Sequence, residues 1–136
     1  MLDGLSVARR EEEWRKELSA DERPIVYVAI NDGALVGFCA VAAPSRDDDA
    51  AEDTAEIGAI YVQPDAWRTG IGSALMDVAL RDLRADGWRG ITLWVLAANH
   101  RARDFYARFG LEPDGAEMTH ETSGATEVRL RGSITA

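Results

Sequence analysis

A single cysteine, Cys39, stands in the 136-residue chain. One thiol cannot close an internal disulfide or build a thiolate metal cluster, so the fold must rest on an apolar core. Long apolar runs are missing as well. None approaches the roughly 18 residues of a membrane-crossing helix, and the opening Met1-Leu-Asp-Gly turns charged without a hydrophobic signal segment. A cytoplasmic protein with no membrane partner is the expectation. Positive charge is scarce: 15 Lys and Arg stand against 24 Asp and Glu, for a net charge of −9. A phosphate backbone would be repelled, which argues against nucleic acid as a partner, whereas a cationic ligand is permitted. Internal repeats, low-complexity tracts and linkers are also absent. What remains is ordinary for a globular chain, 46% hydrophobic and 29% charged, and long enough for one domain over 1–136 to bury a core.

The chain is organised around Ala55-Glu-Ile-Gly-Ala-Ile-Tyr-Val-Gln-Pro-Asp-Ala-Trp-Arg-Thr-Gly-Ile-Gly-Ser-Ala-Leu-Met76. A strand-forming run ends at Val62, a Pro64-Asp65 turn follows, and a short loop carries Gly70 and Gly72. From Ile71 the period changes to helical, with Leu75, Ala79 and Leu83 on one face. Strand, glycine loop and helix present free backbone N–H groups and a positive dipole end, an arrangement suited to an anion such as phosphate. A Gly-x-Gly on its own is weak. The missing Lys-Ser/Thr after it argues against a nucleotide P-loop, and the missing third glycine against a dinucleotide fingerprint.

Residues 6–18 read as a first helix, capped by Ser6 with an apolar seam at Val7, Trp14 and Leu18. Ile25–Ile30 and Leu35–Val41 are strands joined by the Asn31-Asp-Gly33 turn. Residues 44–53 form a polar loop whose Asp47-Asp48-Asp49 run reads as a solvated acidic segment rather than a metal site. Ile91–Leu96 is a buried strand, placed by the preceding helix as a parallel crossover partner of the organising strand. Asn99 caps a helix with Ala102, Phe105, Tyr106 and Phe109 on one face; Gly110 and Pro113 end it. A last hairpin turns at Ser123-Gly124. The architecture expected is α/β: a mixed, mostly antiparallel sheet with helices on both faces.

Two motifs then carry a resemblance. Tyr61-Val-Gln-Pro-Asp-Ala-Trp-Arg-Thr-Gly-Ile-Gly-Ser-Ala-Leu75 and Leu93-Trp-Val-Leu-Ala-Ala-Asn-His-Arg-Ala-Arg-Asp-Phe-Tyr-Ala-Arg-Phe-Gly-Leu111, in this order, resemble the GNAT family of acetyl-CoA-dependent N-acetyltransferases across roughly residues 25–131. Two departures stand out. Trp67 takes the place of the loop's usual Gln or Arg, and Arg68 a place often held by glycine. The strand and helix that usually open the fold also look missing, so either the chain starts late or the fold is trimmed.

The resemblance implies acetyl-CoA as co-substrate, with no metal. The backbone of Trp67, Arg68, Thr69, Gly70, Ile71, Gly72 and Ser73 would cradle its pyrophosphate. The pantetheine arm would lie in a splay between Ile60, Tyr61 and Val62 on one strand and Trp94–Leu96 on the next. Asn99 would hold the pantetheine end, or cap its helix, or both. Tyr106 would protonate the departing thiolate, as a phenol can; from spacing alone it reads as a core tyrosine. Glu56 would take a proton from the attacking amine, its plainer reading being a solvent-facing strand residue. Glu52 or Asp53 could serve instead if their loop folds inward. A base matters because an alkyl amine near pKa 10.4 is only about one part in 10³ neutral at pH 7. His100 and His120 read as surface residues and Cys39 as core. The implied activity is acetyl transfer to a primary amine, on a small molecule or a protein, in a ternary complex. A non-catalytic acyl-CoA-binding or regulatory module is the alternative, and a homodimer is what the family suggests.

Overall fold

The structure, a computed structural model, describes residues 5–11, 25–66 and 69–134. Seven strands and two α-helices lie among these residues: β1 (Leu5–Glu11), β2 (Ile25–Asn31), β3 (Ala34–Ala42), β4 (Thr54–Val62), α1 (Ile71–Ala85), β5 (Gly90–Leu96), α2 (His100–Ala107), β6 (Glu112–Thr119) and β7 (Thr126–Ser133). The strands form one sheet in the order β1-β2-β3-β4-β5-β7-β6. Every neighbouring pair is antiparallel except β4 and β5. Those two are parallel because α1 carries the chain from the end of one back to the start of the other. The β2–β3 turn places both Asp32 (φ 51) and Gly33 (φ 83) at positive φ, the geometry whose twist matches a two-residue hairpin.

Helix α1 buries Ile71, Leu75, Met76, Ala79, Leu80 and Leu83, the 3.6-residue stripe expected of a core-facing helix. These join Tyr27, Ala29, Cys39, Val41, Ala55 and Ile57 of the sheet in one buried cluster. The hydroxyl of Tyr27, whose ring belongs to that cluster, donates to Asp82 Oδ2 of α1 at 3.1 Å. Helix α2 packs beside the start of α1: a Cβ at Gly72 would lie 3.3 Å from Phe105 and 3.8 Å from Val62.

The first helix is the main correction. Residues 6–11 belong to β1, and 12–18 lie outside the described residues. Leu5 and Val7 pack against the core while Ser6 between them is exposed, the alternation of a strand. The expectation of a missing first strand falls with it, since β1 precedes the β2–β3 hairpin and pairs with β2 along its length.

The acidic loop also differs from its reading. Arg129 of β7 binds both Asp49 oxygens at 2.6 and 2.9 Å, Asp114 at 2.6 Å and Asp47 at 3.5 Å. Trp94 Nε1 donates to Asp47 at 3.1 Å, and the Arg129 guanidinium lies 5.7 Å from a Trp94 ring centroid. Asp47 and Asp49 therefore fasten residues 43–53 across β5 and β7, and Asp48 alone of the three faces water without a partner among the described residues. No group of His, Cys, Asp and Glu among the described residues is arranged to hold a metal ion.

Candidate active site

The site begins with a defect in the sheet. β4 pairs with β5 only from Thr54↔Gly90 to Ile57↔Leu93. Opposite that point the β3–β4 register slips between Ala40 and Val41, one residue of β4 being left over at Gly58. A bulge bends its strand and ends regular pairing. Beyond it the β4–β5 ladder stops, while Trp94, Val95 and Leu96 pair with β7 on the other side. The two parallel strands part as the resemblance implied, leaving β4 backbone groups facing a gap.

The gap opens into a cleft of about 840 Å³, within the size range of small-molecule sites. Ile60 and Val62 line one wall and Val95 the other. Ala66, Gly70, Gly72 and Ser73 line the end at α1, and Asn99, Arg101, Ala102, Phe105, Tyr106 and Arg108 come from the start and one face of α2. Gly70 caps α1 at φ 91, ψ 2 with no side-chain hydrogen bond to the first turn, and no acidic side chain stands in that turn. The left-handed conformation favours glycine and leaves the first-turn N–H groups and the positive dipole end facing the cleft.

Tyr106 is 8% exposed. Its ring meets Phe105 edge-on with centroids 5.3 Å apart, and no partner for its hydroxyl is present among the described residues. Burial, with a smaller contribution from neighbouring Cys39, pushes its pKa up to about 12. The phenol is therefore protonated throughout the neutral range. Tyr106 is at once a core residue and a cleft residue.

Asn99 accepts a hydrogen bond from the Ala102 N–H at 3.1 Å, an N-cap that also faces the cleft. Three other expected residues are not among those lining the cleft. Tyr61 is 50% exposed and stacks on Phe38 at 5.9 Å, because strand alternation sends it to the face opposite Ile60 and Val62. Ile71 is in the core. The Thr69 hydroxyl donates to the Ala66 carbonyl and closes the loop on itself. Trp67 and Arg68 lie outside the described residues.

Glu56 is the largest departure. It is buried rather than solvent-facing and is not among the residues lining the cleft. Arg46 holds it: Nη2 donates to Oε2 at 3.0 Å, and Nε to Oε1 at 3.4 Å. The Arg46 backbone N–H donates to Oε1 at 2.9 Å and the Ser45 hydroxyl at 3.4 Å. Beside it Thr92, its register partner on β5, has a buried hydroxyl oxygen without a hydrogen-bond partner among the described residues. Of the alternative carboxylates, Glu52 and Asp53 are exposed. His120 pairs with Glu127 at 3.3 Å, and His100 is exposed at the start of α2.

The sequence reading passed over Arg101 and Arg108. They are seven residues apart with Phe105 between them, one helical stripe that was visible in the spacing. Together with the end of α1 they bring positive charge to the cleft of an acidic protein, which fits a phosphate-bearing ligand at that end and an extended, amide-bearing arm along β4 where its ladder with β5 has ended.

The comparisons agree with this geometry. An uncharacterized N-acetyltransferase of Methanocaldococcus jannaschii is 36% identical over 95 residues, covering 70% of this chain and 42% of that protein. The mycothiol acetyltransferase of Frankia alni is 33% identical over 129 residues, covering 91% of this chain and 37% of that protein. The chain thus spans less than half the length of either relative. Among solved structures, the PaiA N-acetyltransferase of Thermoplasma acidophilum in complex with coenzyme A shares the fold with a TM-score of 0.61 at 19% identity, over 78% of this chain and 59% of that one. Residues 3–111 match the acetyltransferase (GNAT) family, and the chain belongs to that family.

Proposed function

We propose that the protein transfers an acetyl group from acetyl-CoA to a primary amine, both substrates being bound together. The observation that carries this reading is the coincidence, in one cleft, of the β4–β5 splay, the uncapped N-terminus of α1 and the protonated Tyr106 phenol. The first-turn N–H groups from Gly70 to Ser73, with Arg101 and Arg108, would hold the pyrophosphate and phosphate charges. The open edge of β4 at Ile60–Val62 would pair with the pantetheine amides as a sheet edge pairs with a peptide. Acetyl-CoA supplies an activated thioester. As the amine nitrogen bonds to the acyl carbon, the carbon–sulfur bond breaks and its electron pair goes to sulfur, where Tyr106 delivers a proton. Such acid assistance contributes about 10²–10⁴-fold. Glu56 is the candidate acceptor of the amine's proton.

One observation favours the alternative, a non-catalytic acyl-CoA-binding module: the only buried carboxylate near the splay among the described residues is bound by Arg46. Calorimetric titration separates the outcomes. Micromolar binding of acetyl-CoA but not of ATP is expected. Binding without acetylation of any amine in a broad panel favours the module, and no binding at all refutes both.

A further inference from the structure

The contact between Arg46 and Glu56 is unusual in its asymmetry. The Glu56 side chain is 4% exposed, whereas that of its partner Arg46 is 60% exposed. Arg129, the other arginine that holds this loop, is 12% exposed and engaged by three carboxylates. One arginine is thus enclosed, and the other reaches in from solvent to meet a buried carboxylate. The place it reaches is specific. A Cβ at Gly58 would lie 3.4 Å from Arg46 Nη2, so the guanidinium lies over the bulge where β4 leaves β5. The polar lining is also incomplete. Among the described residues Glu56 Oε2 has a single donor, Arg46 Nη2, and Thr92 Oγ1 beside it has none. A carboxylate and an orphaned hydroxyl on adjacent strands form a small cation-binding corner filled by the chain's own cation.

We propose that the Arg46 guanidinium occupies the place of the acceptor's ammonium group, and that the acceptor binds by displacing it from Glu56. This rests on the acetyltransferase reading and gives its acceptor a chemical class: a primary alkylammonium, cationic at neutral pH. Exchange of one cation for another leaves the charge of the buried corner unchanged, so the carboxylate is never stranded unpaired, a state that is strongly destabilising. The ammonium has three N–H donors, matching Oε2 of Glu56 and Oγ1 of Thr92 with one to spare. A neutral aromatic amine brings no charge to offset the departing guanidinium and is disfavoured. Once the exchange has occurred, the ammonium proton passes to Glu56 Oε2, leaving a neutral amine and a neutral carboxyl group at the mouth of the splay. In the absence of acceptor, Arg46 takes up the lone pairs that a base would use. Arg46 is in this sense a specificity-determining residue.

The test is a titration of the isotopically labelled protein with n-propylammonium chloride, followed by NMR, with tetramethylammonium as the control. The Arg46 backbone N–H, which donates to Glu56 Oε1, is the reporter. A saturable shift of the Arg46 and Glu56 amides with n-propylammonium, and none with the control, is expected. If the guanidinium holds the corner nine-tenths of the time, removing it strengthens n-propylammonium binding about tenfold, since apparent affinity scales with the competent fraction. Arg46→Gln should show that gain. Arg46→Lys keeps the charge but loses the planar fork, so it folds even where the glutamine variant does not, and it should show a smaller gain. In turnover the same variants should lower KM for n-propylamine without a matching fall in kcat. No saturable shift in the wild type, or weaker binding in both variants, overturns the proposal. Acetyl-CoA binding is read independently by calorimetry, so a failed cofactor titration counts against the enzyme reading and a failed ammonium titration against this one.

Discussion

Replacing Tyr106 by phenylalanine separates the two things this side chain does. The ring is part of the core and touches Phe105. The hydroxyl lines the cleft and has no hydrogen-bond partner among the described residues. Deleting an oxygen that makes no internal bond leaves the packing in place and orphans nothing, so stability to urea should change by less than about 1 kcal/mol. Acetyl-CoA affinity by calorimetry should change little, because the hydroxyl is assigned to the departing sulfur rather than to the bound ground state. Turnover should fall by about 10²–10⁴-fold, or about 3–5 kcal/mol of barrier at 1.36 kcal/mol per tenfold. The wild-type pH profile carries a second mark. With its pKa pushed up to about 12, the phenol does not titrate in the working range, so no alkaline limb below that value belongs to Tyr106. The assay is release of coenzyme A thiol with an amine found by screening, at saturating acetyl-CoA. A folded Tyr106→Phe protein that turns over at the wild-type rate refutes the assignment of Tyr106 as the acid.

Two further outcomes follow from packing and burial. A Cβ at Gly37 would lie 2.7 Å from the Tyr61 carbonyl oxygen and 3.3 Å from Leu75; Gly37→Ala must push β3 from β4 and should cost about 1–3 kcal/mol, and an unchanged melting temperature would contradict it. Burial pushes the Cys39 thiol up to about 12 from 9.0. Because the folded-state pKa is raised, the folded chain keeps a proton that the unfolded chain releases, so this contribution is intact below pH 9 and is lost as pH rises toward 12. The loss runs at about 1.4 kcal/mol per pH unit. Urea unfolding at stepped alkaline pH should show a shallower decline for Cys39→Ala than for wild type, and equal slopes would refute the burial argument.

Where local pattern and final environment agree, the sequence was legible. The Asn31-Asp-Gly33 turn, the stripe of α1, the apolar run of β5 and the Asn99 cap each declare themselves within a few residues, and each stands in the structure where its pattern put it. Strand β1 failed because Val7, Trp14 and Leu18 fit a helical seam as well as Leu5 and Val7 fit a strand, and the deciding partner, β2, lies beyond the reach of a local period. The solvent-facing reading of Glu56 failed for a related reason, since only a distant loop, through Ser45 and Arg46, covers it. Arg129 is the extreme case: its hydrogen bonds to Asp49 join residues 80 positions apart, and no spacing rule reports such a pair. The splay itself was implied by resemblance. Its cause, the extra residue at Gly58, leaves no trace in hydrophobic period.

That bulge has an evolutionary consequence. The β4 wall of the cleft is shaped by a mismatch in residue count between two hydrogen-bonded strands, so its dimensions are inherited with the ladder and cannot drift without unmaking the sheet. The loop over residues 43–53, which contributes no residue to the cleft lining, is instead pinned by a few long side chains, any of which can be exchanged singly. A chain built this way holds the wall of its cleft fixed while the side chains that pin its loop remain open to exchange.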